Sequence, residues 1–438
     1  MELKKIAFMQ SLLVTIVLCQ TPYELLDQGK ILLEQGDLNG AEESVKSALK
    51  IDNGLAEGYF ILSQVYLTRN DLNSCREHLN RAIEIDKYNE DYRADFDKVN
   101  DVAKMMDSGK KSLETGDYEK AIVTFDLVIE KLPLYAAAPI YYIGVSVSRE
   151  GDVREAANQF RKSLTINPDY EQASSALTKL TNRTYNEGNQ YIRRGDYDGA
   201  IESYQLVLEL DPLYYRAYYQ LGVVNTKLGD YTAAIDNYRK SVNIEPNYSK
   251  GWFGLGLGLQ KNDRLEEGLE ALKKATEVDP TYAKAHSQMG TIYVILEDFN
   301  SAENAFNMAI QVDPSYAKPY QNLGNIYVEH ERFDEAINTL LTATALNDKS
   351  PKSWYFLSQA YNATDQCDEA REAALGALRT KKNYAPAQFE LGTAEICLGN
   401  KTAALQAFEK ARKDPSWRKS AEYEIDKIKN PHKYENVE

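Results

Sequence analysis

The chain has 438 residues, 43% apolar and 27% charged, a balance that suits a folded protein and excludes a disordered one. Asp and Glu number 66 against 51 Lys and Arg; the net charge of −15 argues against a nucleic-acid partner, whose phosphates need a clustered positive field. Four Cys and four His exclude a disulfide-stapled scaffold and leave little for a His-rich metal site.

At the N-terminus, Lys4 and Lys5 precede an apolar run from Ile6 to Cys19. Such a run spans about 21 Å as a helix, short of a ~30 Å hydrocarbon core. Positive residues before a short apolar run make residues 1–19 a signal peptide, which predicts export to the periplasm or the cell exterior. Retention as an anchor, or acylation of Cys19, stays open and would associate the chain with an outer membrane. No later stretch is apolar enough for a membrane span. The mature chain keeps Cys75, Cys367 and Cys397. Cys75 reads as a buried thiol. Whether Cys367 and Cys397 pair stays open.

The rest of the chain repeats. Pro212, Pro246, Pro280 and Pro314 stand 34 residues apart in the segments DPLYYRAYYQLG, EPNYSKGWFGLG, DPTYAKAHSQMG and DPSYAKPYQNLG. Eleven copies align: 22–55, 56–89, 102–135, 137–170, 181–214, 215–248, 249–282, 283–316, 317–350, 351–384 and 385–418. Position 8 of the copy is small throughout, as in Gly29, Gly109, Gly222 and Gly290, and so is position 20, as in Ala41, Cys75, Ala234 and Ala404. Small residues facing each other let two antiparallel helices approach closely. Position 24 supplies a large knob, as in Phe125, Tyr204, Tyr238 and Phe306. Gly36-Asp37, Gly116-Asp117, Gly151-Asp152, Gly195-Asp196 and Gly229-Asp230 mark the turn inside a copy, with Gly ending one helix and Asp capping the next. Tyr at position 34, as in Tyr170, Tyr248 and Tyr282, explains much of the count of 31 Tyr and reads as a wedge between copies.

This pattern resembles the tetratricopeptide repeat family over residues 22–418. The resemblance implies an all-α fold, a right-handed superhelical solenoid of antiparallel helix pairs. Blocks of repeats cover 22–89, 102–170 and 181–418. Residues 90–101 and 171–180 are insertions with helical spacing, read as extended first helices. Residues 416–438 supply a capping helix and a tail, because a solenoid's last repeat exposes an apolar face.

No chemistry accompanies the repeats. Gly254, Gly256 and Gly258 make a GxGxG string, but inside a first helix rather than after a strand. His78, His286, His330 and His432 show no zinc spacing. No nucleophile elbow, P-loop or kinase signature occurs, so neither enzyme activity nor a cofactor is expected.

The resemblance implies that positions 2, 5, 9, 12 and 13 of the first helices line a concave groove for a peptide, and position 6 adds Asn186 and Asn322. Position 2 reads Arg216, Lys250, Lys284, Lys318 and Lys352, a basic stripe in an acidic chain. Position 13 adds Arg149, Arg193, Lys227 and Lys261. Asn186 and Asn322, with Asn189 and Asn325, can bond a peptide backbone through both donor and acceptor. Tyr185, Tyr219, Phe253 and Tyr355 can pack on side chains. The family's carboxylate-clamp pattern is met only at Asn189 and Lys250, since Tyr185 and Gln220 stand where it needs other residues. The expectation is a non-catalytic scaffold binding an extended, acidic protein segment. The alternatives are a tethered assembly factor of a bacterial envelope machine, and a targeting subunit of a separately encoded enzyme.

Overall fold

A computed structural model describes residues 20–434, and the signal-peptide reading of residues 1–19 lies outside them. The described residues form 23 α-helices and no strand. They divide between two compact units, Met1–Pro212 and Leu213–Glu438.

The first unit holds α1 (Pro22–Glu34), α2 (Leu38–Ile51), α3 (Ala56–Thr68), α4 (Leu72–Ile85), α5 (Glu90–Glu114), α6 (Tyr118–Lys131), α7 (Ala137–Glu150), α8 (Val153–Ile166), α9 (Glu171–Arg194) and α10 (Tyr197–Leu210). Here α5 and α9 run to 25 and 24 residues where other first helices have 13 or 14, because each continues through an insertion. The second unit holds α11 (Tyr215–Leu228), α12 (Tyr231–Ile244), α13 (Ser249–Lys261), α14 (Leu265–Val278), α15 (Ala283–Ile295), α16 (Phe299–Val312), α17 (Ala317–Glu329) and α18 (Phe333–Leu346). It continues with α19 (Pro351–Ala363), α20 (Cys367–Thr380), α21 (Ala385–Cys397), α22 (Lys401–Ala411) and α23 (Arg418–Lys429). Each odd-numbered helix from α1 to α21 packs against the even-numbered helix that follows it, and α23 packs against α22.

The pairs close on a knob and a hole. A Cβ built at Gly109, Gly144, Gly188, Gly222, Gly290 or Gly392 would come within 2.6–2.7 Å of the aromatic ring sixteen residues on. Only a residue without Cβ admits those rings. Position 20 carries residues such as Ala121, Ala200 and Ala336, all fully buried, and Cys75 at 1% exposure. Burial pushes the Cys75 thiol up to about 12, which keeps it protonated and unreactive. At the C-terminal end, Ala421 and Ile425 of α23 cover Ala404, Phe408 and Ala411.

The turns show a rule that Gly-Asp pairs reveal only in part. Position 15 is left-handed in every copy. It is Gly in six of them, but Asn70, Asp263, Glu297, Glu331 and Asp365 adopt the same conformation, with φ between 54 and 64°. A left-handed non-glycine residue costs roughly 1–2 kcal/mol, against roughly 0.5–1 kcal/mol of chain entropy for glycine. Glu297→Gly and Glu331→Gly are therefore expected each to stabilise the second unit by about 0.5–1 kcal/mol. An increased denaturant midpoint with an unchanged slope checks this.

A second rule was invisible in the sequence. The position-4 side chain of five successive copies bonds the carbonyl of the turn preceding its helix. Trp252 Nε1 donates to Pro246 O at 2.8 Å, Tyr320 Oη to Pro314 O at 3.2 Å, and Trp354 Nε1 to Asp348 O at 2.8 Å. His286 Nε2 lies 3.2 Å from Pro280 O, and Gln388 Nε2 lies 3.4 Å from Lys382 O. The residue type changes from copy to copy while the hydrogen bond stays, so composition hides it.

Candidate functional site

Gly254, Gly256 and Gly258 all lie buried inside α13, where Leu272 of α14 packs against Gly256. Among the described residues no group of three His, Cys, Asp or Glu could hold a metal ion. No described helix is long and apolar enough to cross a membrane.

Arg149 lies on α7, and Tyr185, Asn186, Asn189 and Arg193 lie on α9, in the first unit. The other twelve candidates lie on first helices of the second unit, where the 34-residue period puts Lys250, Lys284, Lys318 and Lys352 at the same place on α13, α15, α17 and α19. All four are exposed, as are Lys227 and Lys261. The ion pairs described in this unit join Arg239 and Arg264 to Glu267, Lys274 to Glu277, Arg332 to Glu303 and Glu335, and Arg371 to Asp368; those at its C-terminal end join Arg412 and Lys429 to Glu409, and Lys433 to Asp426. None of them engages the four lysines. Arg216 differs: its Nε donates to Tyr215 Oη at 3.1 Å and its guanidinium lies 5.5 Å from that ring.

The aromatic candidates share their rings with the tyrosine ladder. Tyr219 meets Tyr248 at 5.2 Å, Phe253 meets Tyr282 at 5.1 Å and Tyr355 meets Tyr384 at 6.0 Å between centroids. The position-34 ring thus reaches the first helix of its own copy, and half-buries the position-5 ring there. Asn189 Oδ1 accepts from Tyr204 Oη at 2.8 Å, and Asn325 Nδ2 donates to Glu329 Oε1 at 2.9 Å. Asn322, like Asn325, is half-buried on α17.

The far end of the lysine row holds a group that sequence reasoning passed over. Glu390 of α21 is only 7% exposed. Asn362 of α19 donates from Nδ2 to the Glu390 carboxyl Oε2 at 2.7 Å and to its backbone O at 3.0 Å. Burial pushes the Glu390 carboxyl up to about 7, and the single Asn362 bond only partly opposes this. It stands at position 6, the place of Asn186 and Asn322 in their copies, and the sequence does not single it out, because Asp27 and Asp107 put exposed carboxylates at the same position. The same two copies are tied covalently. Cys367 and Cys397 are paired, with Cα atoms 5.8 Å apart, and Cys75 is free.

Comparison with known proteins agrees with the repeat reading. Tetratricopeptide repeat models match residues 56–89, 188–229, 215–248 and 293–360. The chain is 22% identical over 237 residues to DnaJ homolog subfamily C member 7 of Homo sapiens, covering 45% of this chain and 48% of that protein. It spans about half the length of that relative. Among solved structures it is similar to MamA, with 26% identity, 37% of this chain and 95% of that chain covered, and a TM-score of 0.35. It is also similar to yeast Tom70, with 15% identity, 94% and 96% covered, and a TM-score of 0.38. Paired helices, a glycine-and-ring lock in copy after copy, and four matching repeat models lead to one assignment: the chain belongs to the tetratricopeptide repeat family.

Proposed function

We propose that this protein-interaction scaffold holds an extended acidic segment of a partner protein along the lysine row of its second unit, without catalysis. The observation that carries the reading is the row itself: Lys250, Lys284, Lys318 and Lys352, one per copy, exposed and outside the described ion pairs. In a chain of net charge −15, cations left unpaired in register are available to carboxylates of a ligand. Half-exposed Tyr219, Phe253 and Tyr355 offer apolar contact between them. Exposed ion pairs contribute about 0–1 kcal/mol each, so a row of four gives selectivity and steering, and the rings must add affinity.

The proposal includes export. Lys4 and Lys5 before the apolar run favour it, and the Cys367–Cys397 pair suits an oxidising compartment. The binding test uses the mature chain and a capped peptide in which Glu alternates with Ser and Leu. Lys250→Glu, Lys284→Glu and Lys318→Glu combined are expected to weaken its binding at least tenfold at low salt while the circular dichroism spectrum stays unchanged. Unaltered binding by the triple variant would remove the lysine row from the site.

A further inference from the structure

The insertion at residues 90–101 has no part in the lysine row. It lies in the first unit, where the second and fourth copies, which are not neighbours, meet. In an ordinary solenoid each repeat touches only the next. Here Asn70, in the turn of the second copy, accepts a hydrogen bond at Oδ1 from the Ala138 backbone N–H at 2.9 Å, 68 residues further on. Beside it, between neighbouring copies, helix α3 packs against the short 3-10 turn Pro133–Tyr135 that ends the third copy, whose Tyr135 is buried. The lengthened α5, followed by α6, connects the second copy to the fourth.

The meeting leaves a cleft of about 880 Å³ between the turns of the first two copies and the loops that end the third and fourth. That volume is in the range of ligand sites. Its charge is one-sided. Arg69 is the only cation lining it among the described residues, and its guanidinium is engaged by Glu42, by Asn39 Oδ1 at 2.7 Å and by Leu38 O at 3.2 Å. Glu34, Asp37 and Asp169 also line it and are exposed. The ion pairs described in the first unit involve none of these three. Leu134 and Ile166 line the same cleft and stand 52% and 43% exposed.

We propose that this cleft binds an extended basic segment of a partner protein. Lysine or arginine side chains of that segment meet Glu34, Asp37 and Asp169, and an apolar side chain between them covers Leu134 and Ile166. Exposed ion pairs add little each, so the apolar contact is required and a purely polycationic ligand is a poor fit. The site is separate from the lysine row: it has the opposite charge, belongs to the other unit and is built from other copies.

The test uses the full mature chain and two capped nonapeptides, one with three Lys, two Leu and four Ser, the other with Glu for Lys. Binding is read by fluorescence anisotropy and located by amide exchange. The basic peptide is expected to protect residues 33–39 and 166–169. Glu34→Lys with Asp169→Lys should weaken it at least tenfold, and Leu134→Ser several-fold. Glu266→Lys with Glu270→Lys, at exposed positions of α14, changes net charge equally and should leave binding within twofold. Equal losses in the two reversed chains would reduce the effect to net-charge attraction and overturn the proposal. So would equal protection of the cleft by the acidic peptide. Failure here leaves the lysine row untouched, because the triple lysine reversal alters only the acidic peptide's binding.

Discussion

Gly222→Val is expected to be among the most damaging single substitutions in the second unit, at about 3 kcal/mol or more. In most helix interiors, replacing glycine gains roughly 0.5–1 kcal/mol of backbone entropy. At Gly222 that gain is overruled by space. A Cβ there would lie 2.6 Å from Tyr238 Cε1, and Tyr238 is only 4% exposed. The ring cannot swing aside into the next copy either, because a Cβ at Gly254 would meet the same Cε1 at 2.6 Å. Tyr238 is held between two glycines on successive first helices, and one extra methyl forces α11, α12 and α13 apart. Overpacking of this kind costs about 1–3 kcal/mol for modest insertions, and valine adds two further methyls. Gly258→Ala is the contrast, since its Cβ would meet Ile235 Cγ1 at 3.3 Å and needs only a small adjustment. Because stability in a repeat array is summed from neighbouring interfaces, the damage should be local. Hydrogen exchange in Gly222→Val is expected to quicken in residues 215–261 well before the rest. Uniform exchange across all copies would contradict it.

The same glycines explain why the fold could be read from the sequence. Small residues at positions 8 and 20 and a large one at 24 are constraints of close helix packing, and each recurs every 34 residues. Repetition turned weak local signals into a strong one. The turns were only half legible. Gly-Asp pairs announced five of them, but Glu297 and Glu331 adopt the same left-handed turn against their own preference, held by the helices on either side. The position-4 hydrogen bonds could not be read, because Trp, His, Tyr and Gln serve the same carbonyl. The candidate site was legible where it is periodic, as with the lysines, and illegible where it depends on distance. Nothing in the spacing told that Tyr219 and Tyr355 share their rings with Tyr248 and Tyr384. Nor did it tell that Asn70 would meet Ala138, 68 residues further on.

Glu390 carries the second large prediction, a pH dependence with a definite sign. Its folded carboxyl is raised from 4.5 to about 7 by burial. Between those values the folded chain keeps a proton that the unfolded chain has released. The contribution is therefore fully present below pH 4.5, and is lost as pH rises through about 7. At about 1.4 kcal/mol per pH unit the loss amounts to about 3 kcal/mol by pH 8. Glu42 works in the opposite sense: burial raises it, but hydrogen bonds from Lys46, Tyr66 and Arg69 outweigh burial and hold it at about 2. Its contribution is present above pH 4.5 and fades only in acid, so it leaves the window from pH 5 to 8 clear. Glu390→Gln should flatten stability across that window, matching the parent chain near pH 5 and exceeding it by about 2–3 kcal/mol at pH 8. The amide suits the site for a further reason. Asn362 Oδ1 is buried without a hydrogen-bond donor, while Asn362 Nδ2 already donates to the side chain at 390. A glutamine amide there can accept from Nδ2 and donate to Oδ1, so both buried groups are satisfied at every pH. Denaturant melts of both chains at pH 5, 6, 7 and 8 decide the matter. If Glu390→Gln keeps the parent's slope, the titrating group lies elsewhere, and the Asn362–Glu390 contact is neutral to pH.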